Sequence, residues 1–196
     1  MKDKRELLIN AAYKVFSEKG YYNAKMEEIA EEAGVGKGTV YSYFDNKKDL
    51  FDTMVFSFLE EYFIRLEKGV DENDSMETII NKFLLNHMEI LISTKATFMK
   101  VMTDFSNIPR NKEEIKSFHK KFIIEKTERY MKIFEKAKEK GELRDINPFL
   151  AANFFLGALK GVSESIIVFD EVTDKEKIAR EVTDLLCYGI GKRSGN

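Results

Sequence analysis

The sequence from residue 26 to residue 48, MEEIAEEAGVGKGTVYSYFDNKK, contains the pattern that decides the fold. Ile29, Ala30 and Ala33 recur on one side of a helical turn, glutamates occupy the other side, and Gly34 ends the helix. A second helical run begins about three residues later. Two short helices across a glycine turn predict a helix-turn-helix.

Three residues of this stretch meet the physical requirements of such a motif. The two helices need a small residue where they approach, a turn residue that tolerates positive φ, and an apolar plug from the second helix. Ala30, Gly34 and Val40, spaced four and six residues apart, supply them. The spacing favours a DNA-binding motif, although an αα-hairpin that binds no nucleic acid uses the same pattern.

The second helix of the motif is short and polar. It draws on Gly36, Lys37, Gly38, Thr39, Tyr41, Ser42 and Tyr43. Such a helix has too few apolar side chains to serve mainly as core, and its N-terminus offers free N–H groups to a phosphate or a base edge. We therefore expect it to face a partner outside the protein.

The rest of the chain also predicts helices. An apolar residue at every fourth position marks a first helix that stops at Gly20, and Asn46 is a good N-cap for a long helix over 47–68, with Asp49 as its capping-box partner. Further helices are expected at 75–92, 95–106, 111–140, 148–169 and 174–188. The chain is predicted to be all-α, which suits its two prolines and eleven glycines.

Composition excludes several classes of protein. With one cysteine, Cys187, and two histidines, neither an internal disulfide nor a Cys/His zinc site is expected. The most apolar segment, 149–169, contains Lys160 and Glu164, which favours a buried helix over a membrane span. The charged residues that open the chain do not resemble a secretory signal, so the expected location is the cytoplasm.

Net charge gives no global sign of a nucleic-acid partner. The chain carries −2, and its first 48 residues contain nine basic and eight acidic side chains. Nucleic-acid binding must then depend on the local placement of lysines and polar groups.

The first quarter of the chain resembles the TetR/AcrR family of bacterial transcriptional regulators. The resemblance rests on Gly20-Tyr21, Ile29-Ala30, Ala33-Gly34-Val35, Lys37-Gly38-Thr39-Val40-Tyr41-Ser42-Tyr43-Phe44 and Asn46-Lys47-Lys48. It implies an N-terminal three-helix helix-turn-helix DNA-binding domain at residues 1–47. A C-terminal helical effector-binding and dimerisation domain at residues 48–196 would follow.

The resemblance also implies which residues read the bases of DNA. Lys37, Gly38 and Thr39 match the start of the recognition helix, where Gly38 lets the backbone come close. Gly36, which stands where the family usually has serine or alanine, precedes them in the DNA-binding set.

Phosphate contacts follow from the same resemblance. They are expected from Tyr41, Ser42 and Lys47. Tyr43 either contacts the DNA backbone or packs beneath the helix. Lys25 stands where the family usually has a hydroxyl cap, and its side chain either contacts phosphate or stays solvated.

The C-terminal part is rich in phenylalanine and methionine at helical spacing, a pattern that is more often core than ligand pocket. The resemblance implies a hydrophobic small-molecule effector inside this domain. Its candidate contacts are Phe58, Tyr62, Phe83, His87, Phe98, Met102, Phe105, Phe122 and Phe154. Further polar anchors to consider are Asn86, Glu89, Asp104 and His119, each of which is more often a surface or satisfied group.

The predicted helix over 148–169 carries a stripe of small residues. Gly157, Gly161 and Ser165 lie four residues apart and allow close helix approach. The resemblance implies that the last two helices form a two-fold dimer interface. Val182, Leu185 and Leu186 of the final helix complete the predicted set.

The resemblance implies a ligand-responsive repressor that binds a pseudo-palindromic double-stranded DNA operator as a homodimer. No cofactor, metal or membrane partner is expected. An enzyme is the rival class, but the sequence has no nucleophile and base grouping, no metal-ligand spacing and no phosphate loop. A ligand-independent helix-turn-helix architectural protein is the alternative that would need no cavity.

Overall fold

The computed structural model describes residues 3–118, 120, 124–169 and 174–189, excepting the side chains at 95–96, 98–99 and 165–169. Every regular element in these ranges is helical. The α-helices are α1 (Lys4–Asn23), α2 (Met26–Glu32), α3 (Lys37–Tyr41), α4 (Lys47–Leu66), α5 (Met76–Asn107), α6 (Lys112–Phe118), α7 (Glu125–Glu139), α8 (Pro148–Phe169) and α9 (Lys175–Tyr188). The predicted all-α fold is confirmed.

Helix α1 buries one apolar face and kinks near its end. Leu8 and Ala12 are fully buried and Phe16 nearly so. At Gly20 the backbone has φ of +78°, so the helical path breaks there before the element ends at Asn23. The predicted stop at Gly20 is therefore a kink inside the helix.

Helices α2 and α3 form the predicted helix-turn-helix. Ile29 and Val40 are fully buried, and Ala30 is almost so. Gly34 has φ of +67°, and the Val35 N–H donates to the Ala30 carbonyl at 3.0 Å, which closes the turn after α2. The predicted contact, turn and plug residues are confirmed in these positions.

Helix α4 begins at Lys47, as predicted. Asn46 Oδ1 accepts a hydrogen bond from the Asp49 N–H at 3.0 Å, which makes Asn46 the cap. Asp49 Oδ2 accepts from the Asp45 N–H at 3.1 Å. The return bond thus goes to the residue before the cap, and not to the cap itself as in a standard capping box.

Helix α5 replaces two predicted helices. It runs unbroken over 32 residues, across the break that was predicted between residues 92 and 95. Ser93 and Thr94 are weak helix formers, but the stretch contains no glycine or proline, and the Ser93 hydroxyl donates back to the Ile90 carbonyl at 2.9 Å. Conversely, two helices, α6 and α7, occupy the span of the single helix predicted at 111–140.

The last two helices start within one residue of their predicted positions. Pro148 is the first residue of α8, and Asn147 Oδ1 accepts from the Phe149 N–H at 2.9 Å. Asp174 caps α9 by accepting from the Lys177 N–H at 2.8 Å.

Two compact units share the helices. One unit combines Met1–Ile64 with Thr94–Pro109, and the other combines Arg65–Ser93 with Arg110–Asn196. Helix α5 therefore contributes its first part to one unit and its last part to the other. The predicted functional division into residues 1–47 and 48–196 stays a prediction. Among the described helices, none has the length and apolarity needed to cross a membrane.

Candidate functional site

Helix α3 is held by one buried side chain and presents the others outward. Val40 is fully buried, whereas Lys37, Gly38 and Tyr41 are exposed and Thr39 is half-exposed. A Cβ atom built on Gly38 would meet no atom within 4 Å. The backbone at the start of α3 is therefore open to a partner.

Lys37 is held by two neighbouring groups. Its ammonium forms an ion pair with the Glu27 carboxylate of α2 and lies 5.8 Å from the centroid of the Tyr41 ring. Hydrogen bonding to Glu27 raises the pKa of Lys37, and the same bond lowers the pKa of Glu27. The first lysine of α3 therefore stays charged and has a defined place in the free protein.

Lysines of the neighbouring helices neutralise most of the acidic face of α2. Glu28 pairs with Lys19 at 3.0 Å, and Glu32 pairs with Lys14 at 2.8 Å. Both lysines belong to α1, whereas the partner of Glu27 belongs to α3. Three of the four glutamates of α2 are thus balanced by lysines, so α2 adds little net negative charge beside the candidate DNA surface.

Lys25 is exposed at the start of α2. Its backbone N–H donates to Glu28 Oε2 at 3.1 Å. A lysine side chain has no acceptor, so Glu28 supplies the single side-chain bond at this cap. The side chain of Lys25 remains at the surface, consistent with either of its predicted roles.

The end of α3 is capped by its own polar side chain. The Ser42 hydroxyl donates to the Thr39 carbonyl at 2.6 Å and keeps its lone pairs for another donor. Tyr41 and Tyr43 are 47% and 41% exposed. Tyr43 is therefore accessible to a partner, and both of its predicted roles stay open. Gly36, the N-cap of α3, is exposed as well.

Lys47 has a structural role that the sequence did not reveal. Its ammonium donates to the Ala24 carbonyl at 3.1 Å and to the Tyr22 carbonyl at 3.3 Å, and it lies 4.7 Å from the centroid of the Tyr21 ring. Two of its three N–H donors are thus engaged by the end of α1. Its phosphate contact stays a prediction that relies on the remaining donor.

The last part of α5 is fastened to the kink of α1. Asp104 Oδ2 accepts from the Tyr21 N–H at 2.8 Å, and the Lys100 ammonium donates to the Glu18 carbonyl. The Tyr22 hydroxyl donates to the Asn107 carbonyl at 3.4 Å. No local signal could have found these contacts, because their partners lie more than eighty residues apart in sequence.

The predicted effector contacts are divided between the two units. Four of them belong to the unit that contains the helix-turn-helix, namely Phe58, Tyr62, Met102 and Phe105. Another three belong to the other unit, namely Phe83, His87 and Phe154. Phe122 and the side chain of Phe98 lie outside the described residues, as does His119.

Within the first unit, these side chains belong to apolar surroundings. Phe58 stacks on Tyr13 with ring centroids 5.7 Å apart. Burial raises the pKa of Tyr62 well above its usual value of 10.0, so its hydroxyl stays neutral. Phe105 is buried and Met102 is half-buried.

Within the second unit, Phe83 and Phe154 have opposite environments. Phe83 is buried in an aromatic cluster, with its ring centroid 5.4 Å from that of Tyr130 and 5.3 Å from that of Phe155. Phe154 is 70% exposed. The structure therefore makes Phe83 a core residue and leaves Phe154 open to a partner.

His87 is buried and neutral. Its Nε2 atom lies 2.9 Å from the Leu159 carbonyl oxygen and 2.9 Å from the Ser163 hydroxyl of α8. Burial lowers the pKa of His87 to about 4. A neutral ring beside a carbonyl must carry its proton on Nε2, which donates to Leu159. The histidine thereby ties α5 to α8.

Of the polar anchors considered, Asn86 has a clear structural role. Its amide donates to the Leu66 and Lys68 carbonyls at 2.9 Å each, at the end of α4. Glu89 is exposed and lies 3.8 Å from Lys175.

The predicted dimer residues lie at the surface of α8 and α9. Gly157 and Gly161 are exposed, and a Cβ atom on either would meet nothing within 4 Å. Leu185 is 47% exposed, while Val182 and Leu186 are half-exposed. The side chain of Ser165 lies outside the described residues.

The same surface of α8 contains larger apolar groups. Phe149, Leu150 and Phe154 are 54%, 59% and 70% exposed. Leu150, Phe154, Gly157 and Gly161 follow one helical stripe, at steps of four, three and four residues. Sequence reasoning did not assign Phe149 or Leu150 to an interface, although this spacing connects Leu150 to the small-residue stripe.

Comparison with known proteins places the chain among bacterial regulators. A family model described as "Bacterial regulatory proteins, tetR family" matches residues 8–54. The uncharacterized HTH-type transcriptional regulator YfiR of Bacillus subtilis is 28% identical over 172 residues, which cover 87% of this chain and 83% of YfiR. The fatty acid metabolism regulator protein of the same organism is 24% identical over 198 residues, which cover 97% of this chain and 98% of that protein.

Solved structures share the fold. The transcriptional regulator FadR from Bacillus subtilis, in complex with stearoyl-CoA, has a TM-score of 0.77 at 21% identity, covering 95% of this chain and 99% of that one. A TetR/AcrR regulator from Thermobifida fusca has a TM-score of 0.74 at 25% identity, covering 97% and 100%. These likenesses agree with the helix-turn-helix built on Ala30, Gly34 and Val40. Residues 8–54 therefore match the helix-turn-helix of the tetR family of bacterial regulatory proteins, which supports a role in DNA-binding transcription regulation.

Proposed function

We propose that the protein is a non-enzymatic, homodimeric repressor that binds a pseudo-palindromic operator in the cytoplasm and leaves it when a hydrophobic small molecule binds. One observation carries the proposal. Helix α3 is anchored by the buried Val40 and exposes Lys37, Gly38 and Tyr41 on its outer side. A short helix supported in this way is suited to the major groove of DNA.

The contacts with DNA follow from this exposure. Lys37, Gly38 and Thr39 read base edges at the start of α3, where the open space at Gly38 admits the DNA closely. Tyr41 and Ser42 contact phosphates and fix the register of the helix on the duplex.

In the dimer, two helix-turn-helix domains, one from each protomer, are joined through α8 and α9. We call each of these domains the DNA-binding head. The exposed Phe154 lies on α8 together with the small-residue positions Gly157 and Gly161, and the exposed Leu185 lies on α9. An exposed apolar surface of this kind is typical of a subunit interface. A two-fold dimer would then present its two α3 helices to two half-sites.

The effector is a molecule with a long apolar chain. The names of two relatives support this class: one is a fatty acid metabolism regulator protein, and one was solved with stearoyl-CoA. The unit that contains the helix-turn-helix contributes apolar candidates, including Phe58 and Phe105, as a site for an acyl chain would require. We therefore choose a long-chain acyl thioester as the first compound to test.

A mobility-shift experiment tests the proposal. The wild-type protein is first used to enrich a DNA duplex from a random-sequence library, which we call the selected duplex. Lys37→Ala should lower affinity for the selected duplex by roughly ten-fold or more and relax the sequence preference, because a base-reading donor is lost. Lys132→Ala, an exposed lysine on α7, is the matched control and should change neither quantity.

Addition of stearoyl-CoA should release the selected duplex, whereas coenzyme A alone should not. Enrichment of no duplex would refute the DNA-binding proposal. Release by neither acyl-CoA nor other apolar compounds would instead favour the ligand-independent architectural protein.

A further inference from the structure

The ion pair between Glu27 and Lys37 differs from the other ion pairs of α2. Glu28 and Glu32 pair with Lys19 and Lys14 of α1, so those contacts only join two scaffold helices. The partner of Glu27 is the first residue of α3, on its exposed side. Glu27 is therefore the α2 carboxylate that acts on a candidate base-reading side chain.

A lysine at this position can reduce the sequence specificity of DNA binding. Its charge is compact and its stem is flexible, so it can move to any phosphate within reach, and phosphate contacts contain no sequence information. Glu27 and the Tyr41 ring keep the Lys37 ammonium beside α3, the ring centroid being 5.8 Å away. An ammonium has three donors, so it can keep one bond to Glu27 and direct another to a base edge. Moving away to a phosphate requires it to leave Glu27.

We propose that Glu27 is a positioning residue for DNA specificity: it holds Lys37 in the base-reading place and weakens binding to unrelated DNA more than binding to the operator. This inference rests on the proposed entry of α3 into the major groove. Because Glu27 and Lys37 are both more than half exposed as side chains, the effect is one of selection between partners and not of folding.

The variant Glu27→Gln tests the inference by removing the charge and keeping the shape. Affinity for random-sequence duplex should rise by up to about five-fold, the range expected for an exposed ion pair. The salt dependence of that binding should steepen by about one ion, because Lys37 gains a phosphate contact. Affinity for the selected duplex should change less, so the ratio between the two affinities should fall.

Two control variants separate this effect from a general change of charge. Glu31→Gln removes the same charge from α2 at a residue for which the described chain shows no ion pair, and it measures the long-range electrostatic effect. Glu28→Gln removes an α2 ion pair that does not reach α3. Neither variant should lower the ratio as Glu27→Gln does.

A double-mutant cycle with Lys37→Met assigns the effect to the pair. In that background Glu27→Gln should do no more than Glu31→Gln. The inference is overturned if Glu27→Gln raises affinity for both duplexes equally, if it only matches Glu31→Gln, or if its effect persists without Lys37. A wild-type protein that enriches no duplex overturns the proposed function, and this inference with it.

Discussion

Asp104 of α5 accepts a hydrogen bond from the backbone N–H of Tyr21 at 2.8 Å, directly after the kink of α1 at Gly20. The bond is charge-assisted, and the residues it joins are 83 positions apart in sequence. It makes the last part of α5 a component of the unit that contains the helix-turn-helix. Since α5 also supplies residues 76–93 to the other unit, one continuous helix contributes residues to both units.

Loss of the Asp104 carboxylate should destabilise the unit that contains the helix-turn-helix. Asp104→Ala leaves the Tyr21 N–H without its acceptor, and we expect the free energy of unfolding to fall by about 1–2 kcal/mol. Asp104→Asn retains an acceptor oxygen without the charge and should cost less. Urea unfolding followed by circular dichroism measures the stability of both variants. Equal stability of Asp104→Ala and wild type would show that this hydrogen bond does not stabilise the protein.

Two glycines of the head should respond oppositely to the same substitution. Gly20→Ala places a Cβ at φ of +78° and 3.2 Å from Asp104 Oδ2, so it should destabilise the protein by about 1–2 kcal/mol. Gly38→Ala meets open space inside a helix and should leave stability unchanged or raise it by up to about 1 kcal/mol.

Gly38→Ala should weaken DNA binding even though it does not lower stability. Its new methyl group would stand between the α3 backbone and the bases, so affinity for the selected duplex should drop although the protein is at least as stable. Thermal unfolding and mobility-shift titration of both variants check this contrast. A Gly38→Ala protein with wild-type DNA affinity would contradict the close approach of α3.

His87 should make stability depend on pH. In the unfolded chain its pKa is near the ordinary value of 6.5, whereas burial lowers the pKa in the folded protein to about 4. Between these values the unfolded state binds more protons, so the free energy of unfolding falls as pH falls from 6.5 to 4, by up to about 3 kcal/mol.

A comparison with His87→Gln isolates this contribution from that of the carboxylates. The difference in unfolding free energy between the two proteins should shrink as the pH is lowered through this window, because the glutamine does not titrate there. A difference that stays constant between pH 6.5 and 4 would show that His87 is not held neutral.

A substitution in the proposed dimer interface should change the assembly state without changing the folding of each protomer. Gly161→Leu adds volume at an exposed position with open space around it, so each protomer should fold normally. The same volume should prevent two α8 helices from approaching and shift the protein to monomer. Affinity for the selected duplex should then fall by ~100-fold or more, because the two half-sites are no longer linked.

Sedimentation velocity measures the assembly state. Lys132→Leu on α7 is the control, since it adds an apolar side chain at an exposed position away from α8 and α9. A Gly161→Leu protein that remains a dimer would place the interface elsewhere.

The head could be predicted from sequence because its signals are local. Gly34 ends α2, Val40 fills the core six residues later, and Asn46 caps α4, all within a span that a short motif can encode. Pro148, which suits the first turn of a helix, marks the start of α8 for the same reason.

Contacts between residues that are distant in sequence could not be predicted. Asp104 is an ordinary acidic residue in sequence, and only the fold brings it to Tyr21. Lys47 matched a family motif, but the carbonyls that engage it lie at the end of another helix. Phe83 and Phe154 both read as apolar helix positions, yet one is buried and the other is 70% exposed, because burial depends on which neighbour a helix face meets.

Calorimetric titration of stearoyl-CoA measures whether the protein couples DNA binding to an apolar ligand. The titration is made into the free protein and into the protein bound to the selected duplex. Only a ligand with different affinity for the two states can shift the equilibrium, and linkage requires the coupling to be reciprocal. We expect DNA to weaken binding of stearoyl-CoA by the same factor by which stearoyl-CoA weakens binding of DNA. Equal affinity of the ligand for the free and DNA-bound protein, or no binding to either, would contradict it.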